Sequence, residues 1–427
     1  MKPRQLAYDL LQRLEKGQQF SNIILDRALS SSDMSREDKG LVSALLYGVT
    51  ERRITLDYQI ARLSSRPINE LDLSVLTALR MGLYQMIYMD RIPHHAAINE
   101  SVSLCTKKTS GFVNAILRAY TRDPRLVYPD PSDTAEYVSV RYSVCRELAE
   151  KLISELGLET TEGVLDIRGG ANTTTLSVNT LKISRQELSA LIEGATPTKY
   201  SQRGLYVSGG VRELYGYEDG TFFVQDEASQ ICVEALDARP DETLLDICSC
   251  PGSKSFGAAI SMKNRGKIYA FDLHEKKLPL ITSGAERLGI HIIETAQKDG
   301  REFIPQLEGR ADRVLCDVPC SGFGVLSKKP ELRYKDPTAS AALPDIQLAI
   351  LENACRYVRE GGTLVYSTCT IFPEENERNV ERFLARHSEF SLTPFSVGEL
   401  DVPSGYVTLL PHVHGTDGFF VAKLTKK

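Results

Sequence analysis

Apolar residues recur at helical spacing from residue 4 to about 122: Leu6, Leu10 and Leu14 share one face, and Leu76, Leu79, Leu83, Met86 and Ile87 share another. The spacing predicts an all-helical N-terminal domain. Its last helix is "TSGFVNAILRAYTR", and the "DPRLVYPDPSD" that follows carries three prolines, the mark of a linker.

The pattern then becomes mixed. "CRELAEKLISELG" reads as a helix ending on Gly157, "TTTLSVNTLK" and "GLYVSG" as strands, and "SRQELSALIEG" as a capped helix. From residue 241, short apolar runs alternate with helical stretches: "TLLDICS", "KIYAFDL", "RVLCDVP" and "GTLVYSTC". Such near-continuous apolar strands predict a mostly parallel sheet covered on both faces, with ligands beyond the carboxyl ends of its strands. The expected class is therefore multidomain: an all-α domain over residues 1–128, a small α+β domain over 129–235, and a Rossmann-like α/β domain over 236–427.

Composition narrows this picture. The chain has 427 residues, a quarter of them charged, and no tryptophan, which fits a folded globular protein of two or three domains. No apolar run reaches membrane-spanning length, and the N-terminus turns polar too often for a signal peptide, so a cytoplasmic protein without a membrane partner is expected. The nine cysteines are odd in number and scattered, which reads as reduced thiols, and no Cys-x-x-Cys pair or histidine stands at zinc-ligand spacing, so no metal is expected. Cys105, Cys145, Cys232, Cys316 and Cys355 read as core or surface residues, and His94 and His95 as caps or solvated. The net charge of −5 speaks against a protein that coats nucleic acid, yet residues 1–130 hold 18 Lys+Arg against 14 Asp+Glu, a local +4 that suits a polyanion.

Candidate chemistry gathers at the predicted strand ends. In "DICSCPGSKS" a Pro251-Gly252 turn leads into a helix, so that backbone N–H groups face an anionic ligand group. Asp272 ends the next strand, where a carboxylate accepts ribose hydroxyls, and Asp299 ends a third. Each acid alone reads as a solvated surface residue or a helix cap, but three successive strand ends with suitable groups turn the reading toward a site. "LCDVPCSGFG" sets Asp317 and Cys320 on either side of a proline, and "LVYSTCTIFPEENE" ends its strand on Cys369. An acid and two thiols at neighbouring strand ends suit addition of a thiolate to a ring. Lys328, Lys329, Arg333 and Lys335 read either as a charged surface or as phosphate contacts.

These motifs, "DICSCPGSKS", "FDL", "DVPCSGFGVL" and "YSTCTIFPEENE", resemble those of the S-adenosylmethionine-dependent RNA cytosine-5 methyltransferases. "HHAAINESVSL" and "GFVNAILR" resemble the domain related to the antitermination factor NusB that precedes the catalytic part in the members acting on 16S ribosomal RNA. The resemblance implies that Cys248, Ser249, Cys250, Pro251, Gly252, Ser253 and Lys254 hold the methionine end of S-adenosylmethionine. It implies that Asp272 holds the ribose and Asp299 the adenine, and that Asp317 faces both cofactor and target base. Cys369 would be the nucleophile and Cys320 would assist product release. RNA, of the 16S ribosomal kind, is the implied partner of a monomeric enzyme.

Two departures stand out. Ser253 occupies a position where the family has glycine, which bears on cofactor affinity more than on reaction type. The family's tryptophan after the Pro-Cys motif is replaced, Tyr334 being the nearest ring. The rival readings are methylation of transfer RNA or of DNA, and a non-catalytic RNA-binding assembly factor.

Overall fold

The computed structural model describes residues 2–17, 20–166 and 173–427. Its contacts divide the chain into two compact units, Met1–Asp166 with Lys328–Pro337, and Ile167–Ser327 with Thr338–Lys427.

The first unit is helical. The expected periodicity gives helices Pro3–Glu15, Ser21–Ser30, Arg36–Glu51, Arg53–Leu63, Leu73–Tyr88, His94–Ser103 and Ser110–Arg122. Leu10, Leu45, Leu79, Leu83 and Leu117 close its core, each at most 1% exposed, and each such burial contributes about 1.5–3 kcal/mol. His94 and His95 begin their helix and are exposed, without capping it. Helices Thr134–Tyr142, Arg146–Leu156 and Leu158–Leu165 pack in the same unit, so residues 129–165 lie with the N-terminal helices and residues 173–235 with the other unit.

Segment Lys328–Pro337 is also part of this helical unit. Arg333 is 0% exposed; its Nη1 donates to the Tyr142 carbonyl at 2.9 Å, and its own carbonyl accepts from Cys145 N–H at 2.8 Å. The Tyr334 hydroxyl donates to the Thr50 carbonyl and accepts from Arg53 N–H, and the Arg53 guanidinium covers its ring at 3.8 Å. Glu331 accepts the amide and hydroxyl of Ser21, satisfying a free helix N-terminus. The expectation that Arg333 contacts phosphate is therefore corrected: its charge is enclosed among helices and faces no polyanion.

The second unit holds two main sheets. Strands β1 (Thr173–Val178), β2 (Thr196–Pro197), β3 (Gly204–Ser208) and β4 (Phe222–Val224) form an antiparallel sheet in the order β2-β3-β1-β4. The larger sheet contains β5 (Thr243–Asp246), β6 (Lys267–Asp272), β7 (Ile293–Gln297), β8 (Ala311–Asp317), β9 (Val358–Thr368) and β10 (Phe390–Leu392). A hairpin β11 (Phe395–Val397) and β12 (Leu400–Val402) stands apart, and β13 (Tyr406–Leu409) and β14 (Phe419–Lys426) return to the larger sheet. Its order is β10-β14-β9-β8-β5-β6-β7, parallel from β9 to β7 and antiparallel at β14. Leu244 and Leu245 point to opposite faces and join separate cores, one beneath helices Glu227–Leu236 and Ser253–Ser261, the other beneath Leu343–Ala354 and Glu377–Leu384. This double covering is why the strands read as unbroken apolar runs.

Candidate active site

The parallel register brings one end of five neighbouring strands into a row. Asp317 pairs with Ser367 across β8 and β9, Asp246 with Leu315 and Ala270 across β5, and Asp272 with Gln297 across β6 and β7. The loops that leave these ends carry the residues singled out above.

Beyond β5, the turn from Ser249 to Gly252 is closed by Gly252 N–H to the Ser249 carbonyl at 2.7 Å, and Ser249 is tied to Phe271 O through its amide at 2.7 Å and its hydroxyl at 2.9 Å. Gly252 has φ +106°, and a Cβ there would lie 2.6 Å from the Phe256 ring, so both backbone conformation and space require glycine. Ser253 opens the following helix with its side chain half-buried. Cys248 and Cys250 are partly exposed, and burial pushes both thiols up.

Lys254, 9% exposed, places Nζ 2.5 Å from Asp317 Oδ2. Burial disfavours its charge, but the Asp317 carboxylate outweighs that and holds the ammonium above its ordinary range. The other Asp317 oxygen accepts the Ser367 hydroxyl at 2.8 Å. Next to this pair the two thiols meet: Cys320 Sγ and Cys369 Sγ are 3.0 Å apart, and Cys369 N–H donates to Cys320 Sγ at 3.2 Å. The Cys320 thiol is pushed up first by its hydrogen bond to Cys369 and then by burial. A close crossing fixes the pair, since Gly324 N–H donates to the Cys369 carbonyl at 3.0 Å and Gly418 N–H to the Gly324 carbonyl at 2.9 Å. A Cβ on Gly324 would fall 1.9 Å from Gly418 O, so no larger residue allows the crossing.

Asp272, 9% exposed, accepts His274 N–H at 2.9 Å. Asp299 lies beyond β7, where Arg301 holds its carboxylate through contacts of 2.9 and 2.5 Å and lowers its pKa. Of the five cysteines read as core or surface residues, Cys232, Cys316 and Cys355 are buried and Cys105 and Cys145 partly so, and Cys232 lies against Lys254, Asp317 and Ser367. Among the described residues, no cluster of His, Cys, Asp or Glu could hold a metal ion, and no helix is long and apolar enough to cross a membrane.

Three side chains were not singled out by the sequence. Asp246, fully buried at the end of β5, accepts the Ser255 hydroxyl at 2.6 Å, while its Oδ1 has no hydrogen-bond partner. Burial pushes its carboxyl up to about 7. The signal was present, because Asp246 ends an apolar strand just as Asp272 and Asp317 do. Ser367 stands two residues before Cys369 and is visible only through its register with Asp317. Ser255 faces Asp246 from the first turn of the helix that opens on Ser253.

The donor set suits S-adenosylmethionine. A turn closed by Gly252 opens a helix, an acid ends the adjacent strand, and a buried carboxylate oxygen at the end of β5 lacks a hydrogen-bond partner.

Comparison with known proteins agrees. Residues 233–425 match the family model of the 16S rRNA methyltransferase RsmB/F, and residues 1–122 match the NusB family. The chain is 35% identical to the probable ribosomal RNA small subunit methyltransferase B of Bacillus subtilis, covering 99% of this chain and 98% of that one. It is 32% identical to the ribosomal RNA small subunit methyltransferase B of Klebsiella pneumoniae, covering 99% and 98%. Among solved structures, that of PH0851 superposes over 100% of this chain and 99% of its own with a TM-score of 0.80 at 28% identity. A methyltransferase homolog from Pyrococcus horikoshii covers 69% of this chain and 99% of its own, with a TM-score of 0.60 at 26% identity. With a NusB domain, a mostly parallel methyltransferase sheet and full-length relatives of this kind, the chain belongs to the 16S rRNA methyltransferase RsmB/F family, the S-adenosylmethionine-dependent enzymes that methylate RNA.

Proposed function

We propose that this enzyme methylates carbon 5 of one cytosine in 16S ribosomal RNA through a covalent adduct with Cys369. The observation that carries the reading is the pair of thiols 3.0 Å apart beside the Lys254–Asp317 pair, at the ends of adjacent strands. Carbon 5 of cytosine is a weak nucleophile. Addition of the Cys369 thiolate to carbon 6 makes it an enamine carbon, and Asp317 at ring nitrogen 3 stabilises that adduct. S-adenosylmethionine, when bound, supplies the methyl group as an activated sulfonium. Once carbon 5 is methylated, a base takes its proton, the electrons of that bond re-form the double bond between carbons 5 and 6, and Cys369 leaves as thiolate, with Cys320 assisting release.

Cys248 to Lys254 would hold the methionine end of the cofactor, Asp272 the ribose and Asp299 the adenine, with Asp317 facing both cofactor and base. The target base leaves its stack to reach the thiol, which is simplest in a looped RNA. Residues 1–128 would bind RNA, 129–235 link and support that binding, and 236–427 perform the transfer, in a cytoplasmic monomer. The curated relatives named for the small ribosomal subunit support 16S RNA over the transfer RNA and DNA alternatives. Bisulfite sequencing of total RNA with and without the protein tests the reading. One protected cytosine in 16S RNA is expected to lose protection when the protein is absent, and an unchanged pattern sinks it.

A further inference from the structure

A closed ring of hydrogen bonds spans Cys369. Its two chain neighbours, Thr368 and Thr370, and Asn376 in the turn that follows are each 0% exposed. Thr370 N–H donates to Thr368 Oγ1 at 3.4 Å, the Thr368 hydroxyl donates to Asn376 Oδ1 at 2.6 Å, and Asn376 Nδ2 donates to the Thr370 carbonyl at 3.1 Å. The backbone of Cys369 itself is taken up by the Pro-Cys loop, its N–H by Cys320 Sγ and its carbonyl by Gly324 N–H. Asn376 is anchored in turn: its N–H donates to the Pro373 carbonyl at 3.1 Å, and its carbonyl accepts Asn379 N–H at 3.0 Å and Val380 N–H at 3.1 Å at the start of helix Glu377–Leu384. Val380 and Phe383 bury that helix in the core.

We propose that Asn376 is a positioning residue for the methyl transfer: its amide ties the residue before Cys369 to the residue after it, and so fixes the bend from which the sulfur is aimed. The proposal rests on the reading of Cys369 as nucleophile and deepens it. The ring requires an amide. The Thr370 carbonyl only accepts, so a donor must face it; the Thr368 hydroxyl then gives its proton to the acceptor beside that donor and receives Thr370 N–H on a lone pair. Asparagine supplies one donor and one acceptor within a single short reach. Aspartate supplies acceptors alone and would set a carboxylate oxygen against the Thr370 carbonyl. Burial makes the difference matter, because a buried group that loses its partner keeps the full cost of its lost hydration. The bend then relieves that cost by moving, and the sulfur moves with it. Attack on carbon 6 tolerates little displacement of the reacting atoms.

The test uses the full chain and 16S RNA transcribed with 5-fluorocytidine. After thiolate addition and methyl transfer, fluorine stands where the carbon 5 proton would be removed, so the bond between Cys369 and carbon 6 persists and its rate of formation is read on a denaturing gel. Asn376→Asp is expected to slow adduct formation by about a hundredfold. Its KM for RNA and its affinity for S-adenosylmethionine are expected to stay within about twofold, the pattern of a loss confined to kcat. Thr368→Val keeps the shape and removes the hydroxyl, and is expected to slow the step as well; Thr368→Ser restores the hydroxyl and should recover most of the rate. Asn379→Ala removes another fully buried amide of the same helix, one that donates to the Pro344 carbonyl at 2.9 Å, and should lower stability without slowing the adduct. An Asn376→Asp rate close to that of the unsubstituted protein, no recovery in Thr368→Ser, or equal slowing by Asn379→Ala overturns the proposal. If Asn376→Asp does not fold, the two Thr368 variants decide. Cys369→Ala, measured in parallel, tests the nucleophile reading separately: an adduct that still forms there ends that reading, whereas its loss there beside a full rate in Asn376→Asp ends only the positioning role.

Discussion

Two buried pairs of cation and carboxylate, one in each unit, are built differently. In the helical unit, Arg80 holds Asp57 by Nε to Oδ1 at 2.6 Å and Nη2 to Oδ2 at 2.7 Å, and reaches Glu15 with Nη1 at 3.0 Å. In the catalytic unit, Lys254 meets Asp317 through a single contact of 2.5 Å. A guanidinium fork fixes the geometry of its partner, whereas an ammonium is a point charge with three donors that re-aim as its surroundings change. The first pair locks a geometry; the second sets a single charge beside a thiol. Burial and ion pairing are common to both pairs, so the difference between them lies in the kind of cation and its neighbours.

The sharpest break is expected at the thiol. Cys369→Ala should abolish RNA methylation while cofactor binding, read by calorimetry, stays nearly intact, because the covalent step is removed and the pocket is not. Cys320→Ala should instead accumulate a covalent protein–RNA species on a denaturing gel. Trapping by Cys369→Ala and loss of the adduct in Cys320→Ala would reverse the two roles.

Next in size is the architectural pair. Arg80→Met leaves Asp57 buried without its main partner and should lower stability by about 3–5 kcal/mol in denaturant titration, with methylation per folded molecule unchanged at low temperature. A loss of methylation at full stability would show that the helical pair also serves the chemistry. A smaller effect is expected for Asp272→Ala, which should weaken S-adenosylmethionine binding by about 0.5–1.5 kcal/mol for each hydrogen bond removed; unchanged affinity removes Asp272 from the cofactor site.

Asp246 gives a pH signature. Its folded pKa is raised to about 7 by burial, so its contribution to stability is full below the unfolded carboxylate range and is lost as pH rises from about 4 through 7. Asp246→Asn should flatten that part of the stability profile, and an unchanged slope argues against a buried neutral acid. The least of the effects concerns salt. Lys107, Lys108, Arg118 and Arg122 are exposed on the helical unit, and reversing their charges should lower the slope of log affinity for RNA against log salt by about 0.9 for each phosphate these side chains neutralise. An unchanged slope leaves these helices another task, such as docking a protein.

Much of the fold and of the row of strand ends was legible in the sequence because both rest on local patterns. "KIYAFDL" and "RVLCDVP" announce apolar strands that stop on an acid, and "SRQELSALIEG" does form a capping box between Ser184 and Glu187. What escaped depends on distant partners. Glu375 reads as one acid among several in "PEENE", and only its contact with Ser321, 54 positions away, gives it a place beside the thiols. "KKPELRYK" reads as a solvated charged stretch, yet Arg333 is enclosed because Tyr142 and Cys145 receive it, and no local pattern encodes that.

The same stretch imposes an order on synthesis. Helices up to Asp166 emerge from the ribosome early, but Lys328–Pro337 belongs to their unit and is complete only 171 positions later. At common elongation rates that interval is roughly 9 to 34 s. Throughout it the nascent helices lack Glu331 at Ser21, Tyr334 at Thr50 and Arg333 at Tyr142. The first part of this protein to be made is thus among the last to be finished, and its open surface waits on the arrival of the segment that follows the Pro-Cys loop.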